Sequence, residues 1–109
     1  MYLLYAKGEI QMTITEEKNG DVLTVKIEGH LNTLSSPHLE HYLKCRYDGI
    51  EQLVLDLEKV DYISSAGVRV LIQVLTAMRD KRGLLLKNVC EQVNDILTLT
   101  GYINVLKVE

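Results

Sequence analysis

Apolar and polar positions change their spacing along this chain, and each change marks an element. From Met12 to Gly29 the period is two. Met12 and Ile14 lead one run, and Val22, Thr24 and Lys26 fall on one side of the next. Asn19-Gly20 between them is a strong turn signal, so "MTITEEKNGDVLTVKIEG" predicts a β-hairpin. At "SSPHLEHYLKCRYDG" the spacing becomes helical. Leu39, Tyr42, Leu43 and Arg46 or Tyr47 form a stripe, Ser35 or Ser36 can cap it, Pro37 suits the first turn, and Gly49 follows the end. "QLVLDL" is almost continuously apolar, as a strand covered on both faces must be. "SAGVRVLIQVLTAMRDKRG" returns to helical spacing, with Val68, Leu71, Ile72, Leu75 and Met78 on an apolar face and Arg69, Gln73, Thr76 and Asp80 on a polar one. "LLLKN" reads as a buried strand, "EQVNDILTLTG" as a helix stopped by Gly101, and "INVLKV" as a last strand. A hairpin followed by alternating helices and strands predicts an α/β fold, a mixed and largely parallel sheet with helices packed on it.

Composition narrows the class. The chain has 109 residues, 47% hydrophobic and 25% charged, which suits one globular domain with one core. A formal net charge of −3 and no basic cluster argue against direct nucleic-acid binding. No apolar run approaches the roughly 20 residues of a membrane span, and "MYLLYAKGEIQ" lacks the basic start and long apolar stretch of a signal peptide. The expectation is a cytoplasmic protein, neither membrane-bound nor secreted. Cys45 and Cys90 lie far apart without CxxC spacing and read as buried thiols of a reducing compartment. There is no Phe and no Trp, so Leu, Val and Ile build the core with six tyrosines as the only rings.

Parallel strands send the loops that follow them to one edge of the sheet, where sites collect. Two loops qualify, Gly29 to Ser36 ("GHLNTLSS") and Asp61 to Gly67 ("DYISSAG"), each leading from a strand into a helix. One of Ser64 and Ser65 serves as a helix cap, and Gly67 allows the first turn to pack closely. A serine nucleophile finds no GxSxG turn and no histidine paired to it by the sequence. His38, His41 and Cys45 share a helical spacing but lack a fourth ligand, which leaves a solvated helix face as the simpler reading. GxxxxGK[ST] is missing, so no phosphate-cradling loop is present. Asp56, Glu58 and Asp61 near a strand end are a weak candidate for acid–base work.

From about Met12 to Val108 the chain resembles the STAS domain, and within it the single-domain anti-sigma factor antagonists of bacteria. Four pieces carry the resemblance: "VLTVKIEGHLNTLSSPHLE", "IEQLVLDLEKVDYISSAGVRVLIQVL", "GLLLKNVCEQVNDILTLTGY" and "INVLKV". The second is the most specific. The division it implies is an N-terminal extension over residues 1–11 and a STAS domain over residues 12–109. In that family a loop serine is phosphorylated by a partner that is both anti-sigma factor and protein kinase. Aligned on Gly67, the phosphorylated position falls on Ser65. The commonest family loop is D-S-[ST]-G, so Ser64 stands in place of an acid and Ala66 in place of a second hydroxyl. The family's G-x-L-[DN] turn ends here in Asn32.

The resemblance therefore implies a regulatory binding protein and not an enzyme, without cofactor or metal, acting as a monomer or weak dimer. Its implied partners are an anti-sigma factor/serine kinase and a serine phosphatase, met through Asn32, Ser64, Ala66, Gly67 and Arg69 around Ser65. A STAS subunit of a stressosome or lipid-transport assembly and a small-ligand or nucleotide-binding module are the alternatives.

Overall fold

The computed structural model describes residues 2–7 and 10–109, and side chains from residue 12 onward. The chain runs β1 (Tyr2–Lys7), β2 (Ile10–Asn19), β3 (Val22–Leu31), α1 (Ser36–Lys44), β4 (Gln52–Ile63), α2 (Ser65–Ala77), β5 (Gly83–Lys87), α3 (Glu91–Leu99), a 3₁₀ turn (Tyr102–Asn104) and β6 (Lys107–Val108). The six strands form one sheet in chain order. β1, β2 and β3 are antiparallel neighbours, and β3, β4, β5 and β6 run parallel. This is the mixed α/β sheet expected from the pattern, with a hairpin first and helices alternating afterwards. The N-terminal residues 2–7 add an edge strand, and β2 begins at Ile10, two residues before the expected domain boundary.

The hairpin turns on Gly20 and Asp21, because Asn19 and Val22 already pair across the ladder. Gly20 has φ +65° and Asp21 does not have a positive φ, the pattern of a type II′ turn with glycine at its first central position. Within β3 it is Leu23, Val25 and Ile27 that are buried, the residues between those first counted. In β4, Leu53, Val54 and Leu55 are buried in succession, so this strand is covered on both faces. α1 and α2 pack together, and α3 packs on β4. Leu39, Tyr42 and Leu43 of α1 enter the core as predicted, but α1 ends at Lys44, so Arg46 and Tyr47, expected to continue the stripe, lie beyond the helix and are only half-buried.

Three elements differ from the sequence reading, each for a physical reason. β4 does not stop at Leu57 but continues through the polar stretch to Ile63, with register shifts against β3 between Lys26 and Glu28 and again between Gly29 and His30. Two extra residues bulge out of β4, which breaks the apolar pattern that marks a strand. α2 buries Val68, Leu71 and Met78 as expected, but Val70 and Val74 are buried too, while Ile72 and Leu75 are only half-buried. Packing of α1 on α2 widens the apolar face toward Val70 and Val74. "INVLKV" yields only the two-residue β6. The 3₁₀ turn takes up its first half, where the Val105 and Leu106 N–H groups both bond to the Tyr102 carbonyl.

Candidate functional site

The ends of β3 and β4 lie side by side, since Leu31 and Ile63 are register partners. The chain therefore leaves both strands at the same edge, Asn32 from one and Ser64 from the other. The Ser64 N–H donates to the Leu31 carbonyl at 2.7 Å, tying the two connections together. Both are shorter than the sequence suggested. Gly29 to Leu31 and Asp61 to Ile63 belong to the strands, which leaves residues 32–35 on one side and Ser64 alone on the other.

Ser64 and Ser65 divide their tasks. Ser64 is the N-cap of α2, in extended backbone, and its Oγ accepts from the Gly67 N–H at 3.4 Å. Ser65 is the first helical residue. It is exposed, and its hydroxyl makes no hydrogen bond among the described residues. Gly67 is buried because the helix starts hard against the strand ends. A Cβ there would stand 2.7 Å from Ile63 Cγ1, 2.9 Å from the Leu31 carbonyl oxygen and 3.0 Å from Leu31 Cβ. Ala66 is half-buried and Arg69, one turn on, is exposed.

Asn32 organises the first connection. Its Oδ1 accepts the N–H groups of Leu34 at 2.9 Å and Ser35 at 3.0 Å. Ser35 stands at the N-cap position of α1 but does not cap it with its side chain. Its Oγ instead donates to the His30 carbonyl at 2.5 Å and accepts the Asn32 N–H at 3.0 Å. Ser36, the other candidate, is buried with its hydroxyl unpaired among the described residues.

The candidate acid cluster is dispersed. Asp56 accepts from the Glu58 N–H and from Asn88 Nδ2, both at 3.1 Å, while Asp61 pairs with His30 Nδ1 at 2.7 Å. That contact is mostly solvated, so it adds little stability. Among the described residues no group of three or more His, Cys, Asp or Glu is placed to hold a metal ion, and no helix is long and apolar enough to cross a membrane. The two cysteines are not buried as expected: Cys45 is exposed just past the end of α1, and Cys90 is half-buried at the N-cap position of α3.

Sequence reasoning missed the far wall of the site. Thr100 and Tyr102, from the end of α3 and the 3₁₀ turn, line a cleft of about 280 Å³ with Ser65, Val68, Arg69 and Ile72. Gly101, which was read only as the stop of α3, holds these two residues on either side of the turn. Leu34, Tyr62 and Tyr102 are 44%, 47% and 41% exposed. The cleft falls below the roughly 300–1,000 Å³ of ordinary small-molecule sites. A shallow cleft with one exposed ring, Tyr102, and the Ser65 hydroxyl does not enclose a small ligand.

Comparison with known proteins agrees with this architecture. The STAS domain family model matches residues 13–109. BtrV of Bordetella bronchiseptica, named as an anti-sigma factor antagonist, is 32% identical over 99 residues, covering 89% of this chain and 85% of its own. The crystal structure of an anti-sigma factor antagonist from Mycobacterium paratuberculosis superposes with a TM-score of 0.83 at 20% identity, over 94% of this chain and 89% of that one. The Bacillus cell fate determinant SpoIIAA in its phosphorylated form superposes with a TM-score of 0.68 at 11% identity, over 88% and 90%. The paired strand ends, the capped serine turn and these matches have one reading: the chain belongs to the STAS domain family, among the anti-sigma factor antagonists.

Proposed function

We propose that this protein binds an anti-sigma factor that is also a serine kinase, and that phosphorylation of Ser65 ends the complex until a serine phosphatase restores it. The domain itself performs no catalysis. The observation that carries the proposal is the division of labour between the serines. Ser64 is committed to the cap, whereas Ser65 is exposed, unbonded and held on the first turn of a helix. A hydroxyl presented in this way is accessible to a kinase, and phosphorylating it costs the fold no hydrogen bond. The helix N-terminus accepts the added anion through unpaired N–H groups. The phosphate's charge of about −1.5 to −2 then repels acidic groups on a docked partner and must be desolvated in the interface. The antagonist relatives support the binding role, and Asn32, Ala66 and Arg69 form the surface around the serine on this reading, while the buried Gly67 seats the helix beneath it and meets no partner.

The test is phosphopeptide mapping after incubation with the cognate kinase and ATP, with Ser64→Ala and Ser65→Ala alongside. Phosphate on Ser65 is expected, with labelling abolished in Ser65→Ala and retained in Ser64→Ala. Labelling of Ser64, or full labelling of Ser65→Ala, would refute the assignment. Ser65→Asp should weaken kinase binding, and Ser65→Ala should bind without being released by ATP.

A further inference from the structure

At the opposite end of α2 lies a groove that this switch does not use. It measures about 500 Å³ and is lined by Leu75, Thr76, Arg79, Lys81, Arg82, Gly83, Leu84, Val105 and Lys107. Half-buried Leu75 and exposed Val105 give it an apolar strip, with the buried Leu84 beneath them as its floor. Val105 is 59% exposed, a large apolar side chain left facing solvent. Four of the chain's twelve Lys and Arg residues border the groove, and no carboxylate does, in a protein whose net charge is −3.

The cations are only partly neutralised from within. Arg82 pairs with Asp21. Lys81 Nζ donates to the backbone carbonyls of Tyr47 at 2.8 Å and Ile50 at 2.7 Å, so its position is fixed without any carboxylate to balance it. Arg79 and Lys107 are exposed and have no side-chain partner among the described residues. Asp80 is exposed and is not part of the lining. The sheet is also unfinished here. β6 pairs with β5 only at Leu85 and Leu86, and among the described residues no strand neighbours the outer edge at Gly83 and Leu84.

We propose that this groove is a second docking surface, and that it takes an acidic amphipathic segment of a partner protein. Apolar side chains of the segment cover Leu75 and Val105, and its carboxylates meet Arg79 and Lys107. A bare anion leaves the apolar strip uncovered. A nucleic acid meets a protein of net negative charge. An amphipathic acidic segment alone satisfies both the strip and the rim. Thr76 lies eleven residues beyond Ser65 on α2, about 16 Å along the helix at 1.5 Å per residue. That exceeds the screening length of about 10 Å at 0.1 M salt, so this surface works independently of the charge on residue 65.

The probe is a fluorescein-labelled amphipathic peptide of Leu and Glu, titrated by anisotropy and by amide chemical-shift mapping on the whole chain. The same peptide with Lys for Glu serves as control, and inorganic phosphate as competitor. Saturable binding is expected with a dissociation constant on the order of 100 µM, weakening as salt is raised. Shifts should centre on Thr76, Gly83, Leu84 and Val105. Arg79→Glu combined with Lys107→Glu should weaken binding roughly tenfold, and both sites are exposed, so the fold tolerates them. Ser65→Asp should leave it unchanged. Equal binding of the Lys peptide, displacement by millimolar phosphate, shifts centred on the serine loop, or loss of binding in Ser65→Asp would each overturn the proposal. So would concentration-dependent self-association abolished by the double variant, which would assign the groove to a second copy of the chain.

Discussion

Gly67→Ala puts the geometry of the serine turn to a direct test, because two opposing effects are both large enough to measure. Glycine inside a helix is about 1 kcal/mol less favourable than alanine, so propensity alone favours the substitution. Sterics oppose it. The new Cβ would stand 2.7 Å from Ile63 Cγ1 and 2.9 Å from the Leu31 carbonyl oxygen, both below ordinary contact distance. Neither neighbour yields easily. Leu31 and Ile63 are 0% and 1% exposed, and the carbonyl already accepts the Ser64 N–H. Overpacking of this kind costs about 3 kcal/mol, and subtracting the propensity gain leaves a net loss of about 2 kcal/mol. With a urea slope of about 1.5 kcal/mol per molar, the unfolding midpoint should fall by about 1.3 M at unchanged slope. Relief of the clash should lift the start of α2 from the end of β3, weakening the bond from the Ser64 N–H to Leu31. A midpoint equal to or above that of the parent protein would show that α2 does not begin in contact with the strand ends.

Three further outcomes follow from the same packing. Leu71→Ala, at a fully buried position of α2, should cost about 2–5 kcal/mol in urea unfolding, and an unchanged midpoint would contradict the packing of that face. Asn32→Ala removes an acceptor that holds two N–H groups and should cost about 1–2 kcal/mol, while Asn32→Asp should retain most of that stability; equal losses in both would show that Oδ1 is not what organises the turn. Burial pushes the Tyr42 phenol up to about 12 from an ordinary value of 10, against the pull of the Arg46 guanidinium over its ring. Its folded value is raised, so the stability it contributes is complete below pH 10 and is lost as pH climbs from 10 toward 12; burial also raises Tyr47, so a spectrophotometric titration should show late-ionising tyrosine absorbance that diminishes in Tyr42→Phe, and that variant should flatten this part of the stability profile.

Elements with a regular period were legible in the sequence, and elements shaped by neighbours were not. The hairpin could be found because Asn19-Gly20 interrupts two alternating runs, although the turn settled one residue later on Gly20-Asp21. The core stripe of α1 was legible because one face of that helix meets the core. The second buried flank of α2, Val70 and Val74, depends on α1 lying against it, which no local pattern encodes. The continuation of β4 to Ile63 was hidden because its bulges place Glu58, Lys59, Asp61 and Tyr62 where alternation should run. The edge carrying the site was legible from parallel-strand logic, since consecutive parallel strands end on the same side. Tyr102 and Thr100 were not, because a wall supplied from about 35 residues downstream leaves no trace in the spacing around Ser65.

Ser64 in place of the usual family acid changes the charge of the turn more than its structure. Serine and aspartate are comparable N-caps, and Ser64 Oγ already takes the Gly67 N–H. The Val68 N–H bonds to the Ser64 carbonyl and the Ser64 N–H to Leu31, so the N–H groups of Ser65 and Ala66 are the ones left without a partner among the described residues. These are the donors nearest a phosphate on the Ser65 hydroxyl. An aspartate at position 64 would cap equally well but would set a carboxylate beside that phosphate. Here the adjacent residue is neutral, and Asp61 is occupied by His30. On the proposed mechanism the phosphorylated form of this chain is therefore less opposed by its own charges than in a D-S-[ST]-G turn. The dianion then acts outward, on the partner, while the fold beneath it stays as it was.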